Sequence, residues 1–271
     1  MGQGLARPPP DGAQAEFREV PAPALRNAPN SGYAQATLAP WVESNGWRFQ
    51  RGLQKASYAT LPAGAAPLAA AEAFAFGVDA VLNPDPADVR ELGNVLGFLK
   101  KQEQPPWPAL ANVGVIDDGS PEMGEVLNML TRRNLLYRVV TKPDRQLDLT
   151  VQLGTTDFPK SANPSDLAAR VRDKLGDDKR LVRVYGTTTA IARLTGDGRR
   201  LRLFLLSYSR NRLQQDVRVR LLGRFRPVTS AAYSGAAPEP TLTDVENPGA
   251  STEFTLPMFT TIAIIDLEAL K

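Results

Sequence analysis

The run Ala111 to Val140, ANVGVIDDGSPEMGEVLNMLTRRNLLYRVV, decides the fold. Its first six residues are apolar or small and read as a buried strand over 111–116. Asp117-Asp118-Gly119 is turn chemistry, because Asp side chains bond nearby backbone N–H groups and Gly accepts a left-handed backbone. Ser120 can cap a helix, and Pro121 fits the first helical position, where a missing N–H costs nothing. Met123, Val126, Leu127 and Leu130 then share one helical face. A second strand is expected over 135–140. Strand, helix and strand in this order imply a parallel sheet with right-handed crossovers and flanking helices.

Toward the N-terminus the same alternation continues. An alanine-rich helix is expected over about 65 to 76, with Gly77 as its C-terminal cap, followed by a short buried strand over 78–82. Asp85 and Pro86 open another helix, on which Val89, Leu92, Leu96 and Leu99 are expected to form the buried face. The stretch Lys101 to Pro108 carries charge and prolines and reads as a boundary. Trp47-Arg48-Phe49 alternates like a strand, and so does the run 57–61. Residues 1 to about 40, rich in Pro, Ala and Gly, read as an extended arm or linker.

Toward the C-terminus come a strand over 147–153 and a helix over about 164 to 175, capped by Asn163 in front and Gly176 behind. From about Leu181 the period becomes two. Leu201, Leu203 and Leu205 alternate with Arg200, Arg202 and Phe204, after a turn at Gly196-Asp197-Gly198. Val217, Val219 and Leu221 alternate with Arg218 and Arg220, and further strands are expected over 228–233, 252–256 and 260–267. This is the cadence of a sandwich. The fold class is therefore α/β followed by all-β: a parallel sheet with flanking helices, then a C-terminal antiparallel β-sandwich. The expected division is an arm over 1–40, an α/β domain over 41–180 and a β-sandwich over 181–271.

Composition narrows the chemistry. Among 271 residues there is no histidine and no cysteine. That removes disulfides, thiolate nucleophiles, the usual base of serine nucleophiles and the commonest transition-metal ligands. No metal site is expected. Carboxylate, lysine, tyrosine, arginine and hydroxyl chemistry remain. The net charge of +3 is modest and does not imply a nucleic-acid partner, so none is expected. Neither a dinucleotide fingerprint nor a P-loop is present, so no cofactor is expected. The most apolar stretch, 61–82, is interrupted by Pro67, Glu72 and Asp79, so no membrane span is expected. The first 15 residues lack the apolar core of a secretory signal.

Three constellations can carry chemistry. Asp117, Asp118 and Glu122 gather where a central strand ends and a helix begins, the edge at which open α/β sheets bind ligands. The Gly119-Ser120 backbone can hold an anion there, with Ser120 as a ligand contact. The same residues are equally good turn and cap chemistry. Glu43 and Glu72 form a second candidate, because glycosidases use two carboxyl groups that can be distant in sequence. Glu43 stands near Trp41 and Trp47, aromatics that suit a sugar site or a strand edge. Glu72, within AAAEAFAF, reads by itself as a helix-surface residue. Third, ten arginines crowd between Arg193 and Arg226. They read as the solvated face of a half-buried sheet, or as a surface for an anionic polymer.

The order of a Trp-rich strand, AAAEAFAFGVDAVL, NVGVIDDGSPEMGEVLNMLTRRNLLYRVV and a sandwich ending FTLPMFTTIAIIDLE resembles the back end of bacterial glycoside-hydrolase-like proteins similar to the trimeric β-galactosidase family. The resemblance implies a barrel remnant over 41–100, an amidotransferase-like α/β domain over 110–175 used in assembly, and a small sandwich. Amidotransferases of that shape use a cysteine and a histidine, which this chain lacks, so the resemblance carries over no catalytic residue. It implies a noncatalytic assembly or carbohydrate-associated module that forms a homo-oligomer, with carbohydrate as a candidate partner. Export to the periplasm or beyond the cell would go with it. The alternatives are a small carboxylate-dependent glycosidase and a binder of anionic polymers through the arginine face.

Overall fold

The structure, a computed structural model, describes residues 16–26, 41–160, 163–210, 212–234 and 241–270. The arm expected over 1–40 therefore lies mostly outside the described residues.

The front of the chain contains β1 (Arg18–Glu19), β2 (Ala24–Arg26), β3 (Trp41–Glu43), α1 (Gly46–Gln50), β4 (Lys55–Leu61), α2 (Ala66–Phe76), β5 (Asp79–Pro84) and α3 (Val89–Lys100). A middle part follows with β6 (Val113–Ile116), α4 (Pro121–Arg132), β7 (Tyr137–Val140), β8 (Leu149–Gln152) and α5 (Pro164–Leu175). The back holds β9 (Val182–Tyr185), β10 (Ala190–Gly196), β11 (Arg200–Ser207), β12 (Gln214–Leu222), β13 (Phe225–Ala232), β14 (Thr243–Glu246), β15 (Ser251–Phe259) and β16 (Ile262–Ala269).

The α/β character is present, divided between two small parallel sheets. One has the order β1-β4-β5 and the other β7-β6-β8, and every pairing in both is parallel. The back is antiparallel throughout, with sheets β10-β11-β16-β13 and β14-β15-β12-β9. Leu203, Leu205, Val217, Val219, Leu221, Phe254, Leu256 and Ile265 fill the space between these sheets and are buried. The fold class read from the sequence is the one observed.

Local chemistry explains the elements that match their expected bounds. In α4, Ser120 Oγ accepts from Met123 N at 3.1 Å, and Met123, Val126, Leu127 and Leu130 are buried against β6 and α5 residues. In α5, Asn163 Oδ1 accepts from Ser165 N at 2.8 Å. Gly77 closes α2 at φ 66°, the left-handed conformation that glycine adopts without a Cβ penalty.

Three expectations are corrected. Trp47-Arg48-Phe49 is not a strand but the body of α1, since the Asn45 carbonyl accepts from both Arg48 N and Phe49 N. Three residues of alternation cannot separate a strand from one turn of helix. In α3 the buried residues are Val95 and Leu99, with Leu92 and Phe98 partly covered, while Val89 and Leu96 face outward at 58% and 47% exposure. Pro86–Asp88 winds as a tighter 3-10 turn, so the α-helical phase starts only at Val89. Finally, Arg202 and Phe204 do not lie on a solvated face. Phe204 is buried because α2 covers that side of β11, and Arg202 is buried where it meets Asp266 and the Glu103 carbonyl.

That cover shapes the molecule. Ten of the eleven residues of α2 are buried. A helix apolar on all sides belongs in a core, and its alanines let sheets approach from both sides. Phe74 meets Phe204 edge-on at 6.4 Å, and Phe76 packs against Phe49 at 5.6 Å. Ile191, Phe204, Leu206, Tyr208, Ile262 and Ile264 of the back sheet thereby join the front core. An ideal Cβ on Gly46 would stand 2.4 Å from Phe76 Cζ. Gly46→Ala is therefore expected to cost about 1–3 kcal/mol by overpacking, measured by denaturant unfolding.

Candidate functional site

Helix α2 brings Glu72 into the middle of this core, with no exposed surface. Its Oε1 accepts from Ser44 Oγ at 2.8 Å, from Asn45 N at 2.8 Å and from the Tyr208 hydroxyl. Its Oε2 accepts from Asn45 Nδ2 at 3.2 Å and from Tyr58 OH at 3.2 Å. Ser44 Oγ also takes the Tyr208 hydroxyl at 2.8 Å and Gly46 N at 2.9 Å, while Asn45 Nδ2 reaches Pro21 O at 2.9 Å. The donors come from the loop before α1, from β4 and from the residue after β11. The expectation of a helix-surface glutamate is thus overturned by the packing of α2.

Two effects compete on this carboxyl. Removal from water disfavours the anion, while the N–H and O–H groups around it favour the anion. Burial wins and pushes the Glu72 carboxyl above the ordinary carboxylate range, with Tyr208, Ser44 and Asn45 opposing. Burial and the adjacent Glu72 push the Tyr58 and Tyr208 hydroxyls up as well. Arg48 is the nearby cation, and burial lowers its pKa, partly offset by Glu72 and Glu125.

Above this cluster lies a recess of about 30 Å³, lined by Pro21, Glu43, Asn45, Trp47, Arg48, Glu125 and Asn128 among others. Glu43 thus stands at an opening, whereas Glu72 lies beneath Ser44 and Asn45 and does not line it. The recess has room for a water molecule or two, well below the roughly 300 Å³ of a small-ligand pocket. Trp41 begins β3, and its side chain lies outside the described residues. Trp47 sits on α1 against Gly124 of α4, with the Arg48 and Arg51 guanidinium groups 4.2 Å and 5.4 Å from its ring centre.

Asp117, Asp118, Glu122 and Ser120 stay together at the β6–α4 junction, where each already has local work. Arg51 grips Asp117 through two bonds of 2.7 Å and reaches Ser120 O at 3.0 Å, which ties α1 to this junction. Asp117 Oδ1 accepts from Gly119 N at 2.9 Å, and Asp118 Oδ1 accepts from Ser120 N at 3.0 Å. The backbone donors that would hold an anion are therefore turned onto the chain's own carboxylates. Bonds from Ser120 hold the Asp118 carboxyl below its usual range, with Lys160 3.4 Å away adding to the effect. Glu122 occupies the first turn of α4, where a carboxylate suits the helix dipole.

Among the described residues, five of the ten arginines between Arg193 and Arg226, including Arg199, are ion-paired. Arg202 forms a two-pronged pair with Asp266 at 2.6 and 2.7 Å, Arg218 meets Glu253 and Glu246, Arg226 meets Glu268, and Arg200 meets Asp197. Sequence inspection named Glu72 but missed Ser44, Asn45, Tyr58 and Tyr208 as its partners. The Ser-Asn pair before α1 is a recognisable cap signal, yet nothing local marks Tyr208, 136 positions from Glu72.

No family model matches the sequence, and no curated protein matches it. Among solved structures, the chain is similar to alpha-L-fucosidase isoenzyme 2 from Paenibacillus thiaminolyticus, with a TM-score of 0.56 and 11% identity over 77% of this chain. The match spans 57% of the fucosidase chain, somewhat over half its length. An alpha-amylase from H. orenii also matches, over 40% of this chain and 20% of its own, but its TM-score of 0.21 carries no argument. The fucosidase likeness shows a shared fold.

The sign of the Glu72 effect is testable. The native state holds this proton more tightly than the unfolded chain, so the associated stability is complete below the ordinary Glu pKa of 4.5 and is lost as pH rises through the raised native value. Melting temperature from about pH 5 to about pH 8 is expected to fall in the wild type and to fall less steeply in Glu72→Gln.

Proposed function

We propose that this chain is a noncatalytic assembly or carbohydrate-associated module of a glycoside-hydrolase-like protein. The observation that carries the reading is the employment of its carboxylates. Glu72 is sealed in the core by five hydrogen bonds, and Asp117 is clamped by Arg51. Glycosidase chemistry needs two carboxyl groups flanking a bond in an open cleft, about 5 to 10 Å apart. A buried glutamate and an ion-paired aspartate are ill-suited to either role. In this reading residues 110–175 are the amidotransferase-like part, residues 181–271 the supporting sandwich, and the chain self-associates.

The anionic-polymer alternative is weakened where Asp266, Glu246, Glu253 and Glu268 already hold Arg202, Arg218 and Arg226. The glycosidase alternative rests on Glu43, which lines a recess together with Glu125 and Trp47.

A panel of chromogenic glycosides and a glycan array, run on the purified wild type and on Glu43→Gln, separates these readings. The expected result is no turnover above buffer for either protein, with any glycan bound being released uncut. Turnover by the wild type that Glu43→Gln abolishes would replace the module with an enzyme.

A further inference from the structure

Among the described residues, Arg193 lacks the carboxylate partner that Arg202, Arg218 and Arg226 have. It lies on β10 opposite Phe204, on the side of the back sheet that α2 covers. Its guanidinium carbon sits 4.4 Å from the centre of the Phe76 ring, a cation–π contact that shields one face. Its Nε is buried with no hydrogen-bond partner, and no Asp or Glu among the described residues pairs with it. A guanidinium has five N–H donors and no way to become neutral near physiological pH. Arg193 is partly buried, and a cation drawn away from water is stabilised by a counter-charge.

The space beside it is built for such a charge. Arg193 lines a recess of about 20 Å³ together with Gln50, Phe76, Thr131, Leu136 and Tyr137. Thr131 Oγ1 donates to Leu127 O at 2.9 Å and receives the Tyr137 hydroxyl at 3.1 Å, so these two are satisfied by each other and by the helix. Arg193 and Gln50 are the remaining polar side chains in an otherwise apolar lining. A site needs at least about 10–15 Å³ to admit one water-sized particle, so the recess takes a small ion and excludes a sugar.

We propose that this recess is a small-anion site, in which a chloride ion or a single carboxylate group binds the Arg193 guanidinium with the Gln50 amide beside it. Burial lowers the Arg193 pKa to about 10, with Tyr137 opposing, which leaves the side chain a cation near neutral pH. The recess joins α1, α2, the α4–β7 connection and β10, so the anion neutralises a cation at the seam between front, middle and back. This site stands independently of the proposed function.

The test is thermal unfolding of the full chain at constant ionic strength, with sodium methanesulfonate, neither a halide nor a carboxylate, replaced stepwise by chloride or by acetate. The wild-type melting temperature is expected to rise saturably, by about 3 °C or more, as a bound ligand requires. Arg193→Met, which keeps the packing volume, is expected to lose that rise. Acetate matching or exceeding chloride would identify a carboxylate as the preferred occupant. No rise with either anion, or an equal rise in Arg193→Met, would overturn the site. If the Met variant does not fold, wild-type crystals soaked in bromide decide. An anomalous peak at hydrogen-bond distance from the Arg193 guanidinium supports the site, and its absence there removes it.

Discussion

The rest of this structure depends on one buried carboxyl. Glu72 sits on an almost wholly buried helix and gathers donors from Ser44, Asn45, Tyr58 and Tyr208. Hydrogen bonds to charged or potentially charged groups in a low-dielectric core are strong, and losing one partner there costs more than the bond contributes. The network therefore fixes where α1 starts, how β4 lies on α2 and where the back sheet docks. Helix α2 is able to serve all three because its alanines leave room on every side.

A second tie works at the surface of the same region. Arg51 leaves the C-terminal end of α1, grips Asp117 and touches Ser120, while Trp47 packs on Gly124. One short helix thus carries both links, Asn45 toward Glu72 and Arg51 toward the middle sheet. Residues that resemble a catalytic inventory are used to hold three packed cores in register.

What the sequence revealed tracks how local each determinant is. Helix α5 was legible from Pro164 to Leu175, because Asn163, Pro164 and Gly176 act within a turn of the ends they define. The strands of the sandwich were legible from the alternation of Leu201, Leu203 and Leu205. That alternation could not show that Arg202 and Phe204 on the opposite side are also buried, since α2, which covers Phe204, and Glu103, which meets Arg202, lie far earlier in the chain. The phase of α3 turned on the 3-10 winding of Pro86–Asp88, which periodicity alone does not register. Glu72 was named as a candidate, but its environment is assembled from residues 14 to 136 positions away.

The most direct measurement is a double-mutant cycle on unfolding free energy with Glu72→Gln, Tyr208→Phe and the pair. If the carboxyl joins front to back, the two changes should couple by about 1–3 kcal/mol, as residues sharing one buried network do. Additivity within about 0.5 kcal/mol would contradict that role and leave Glu72 without its structural explanation.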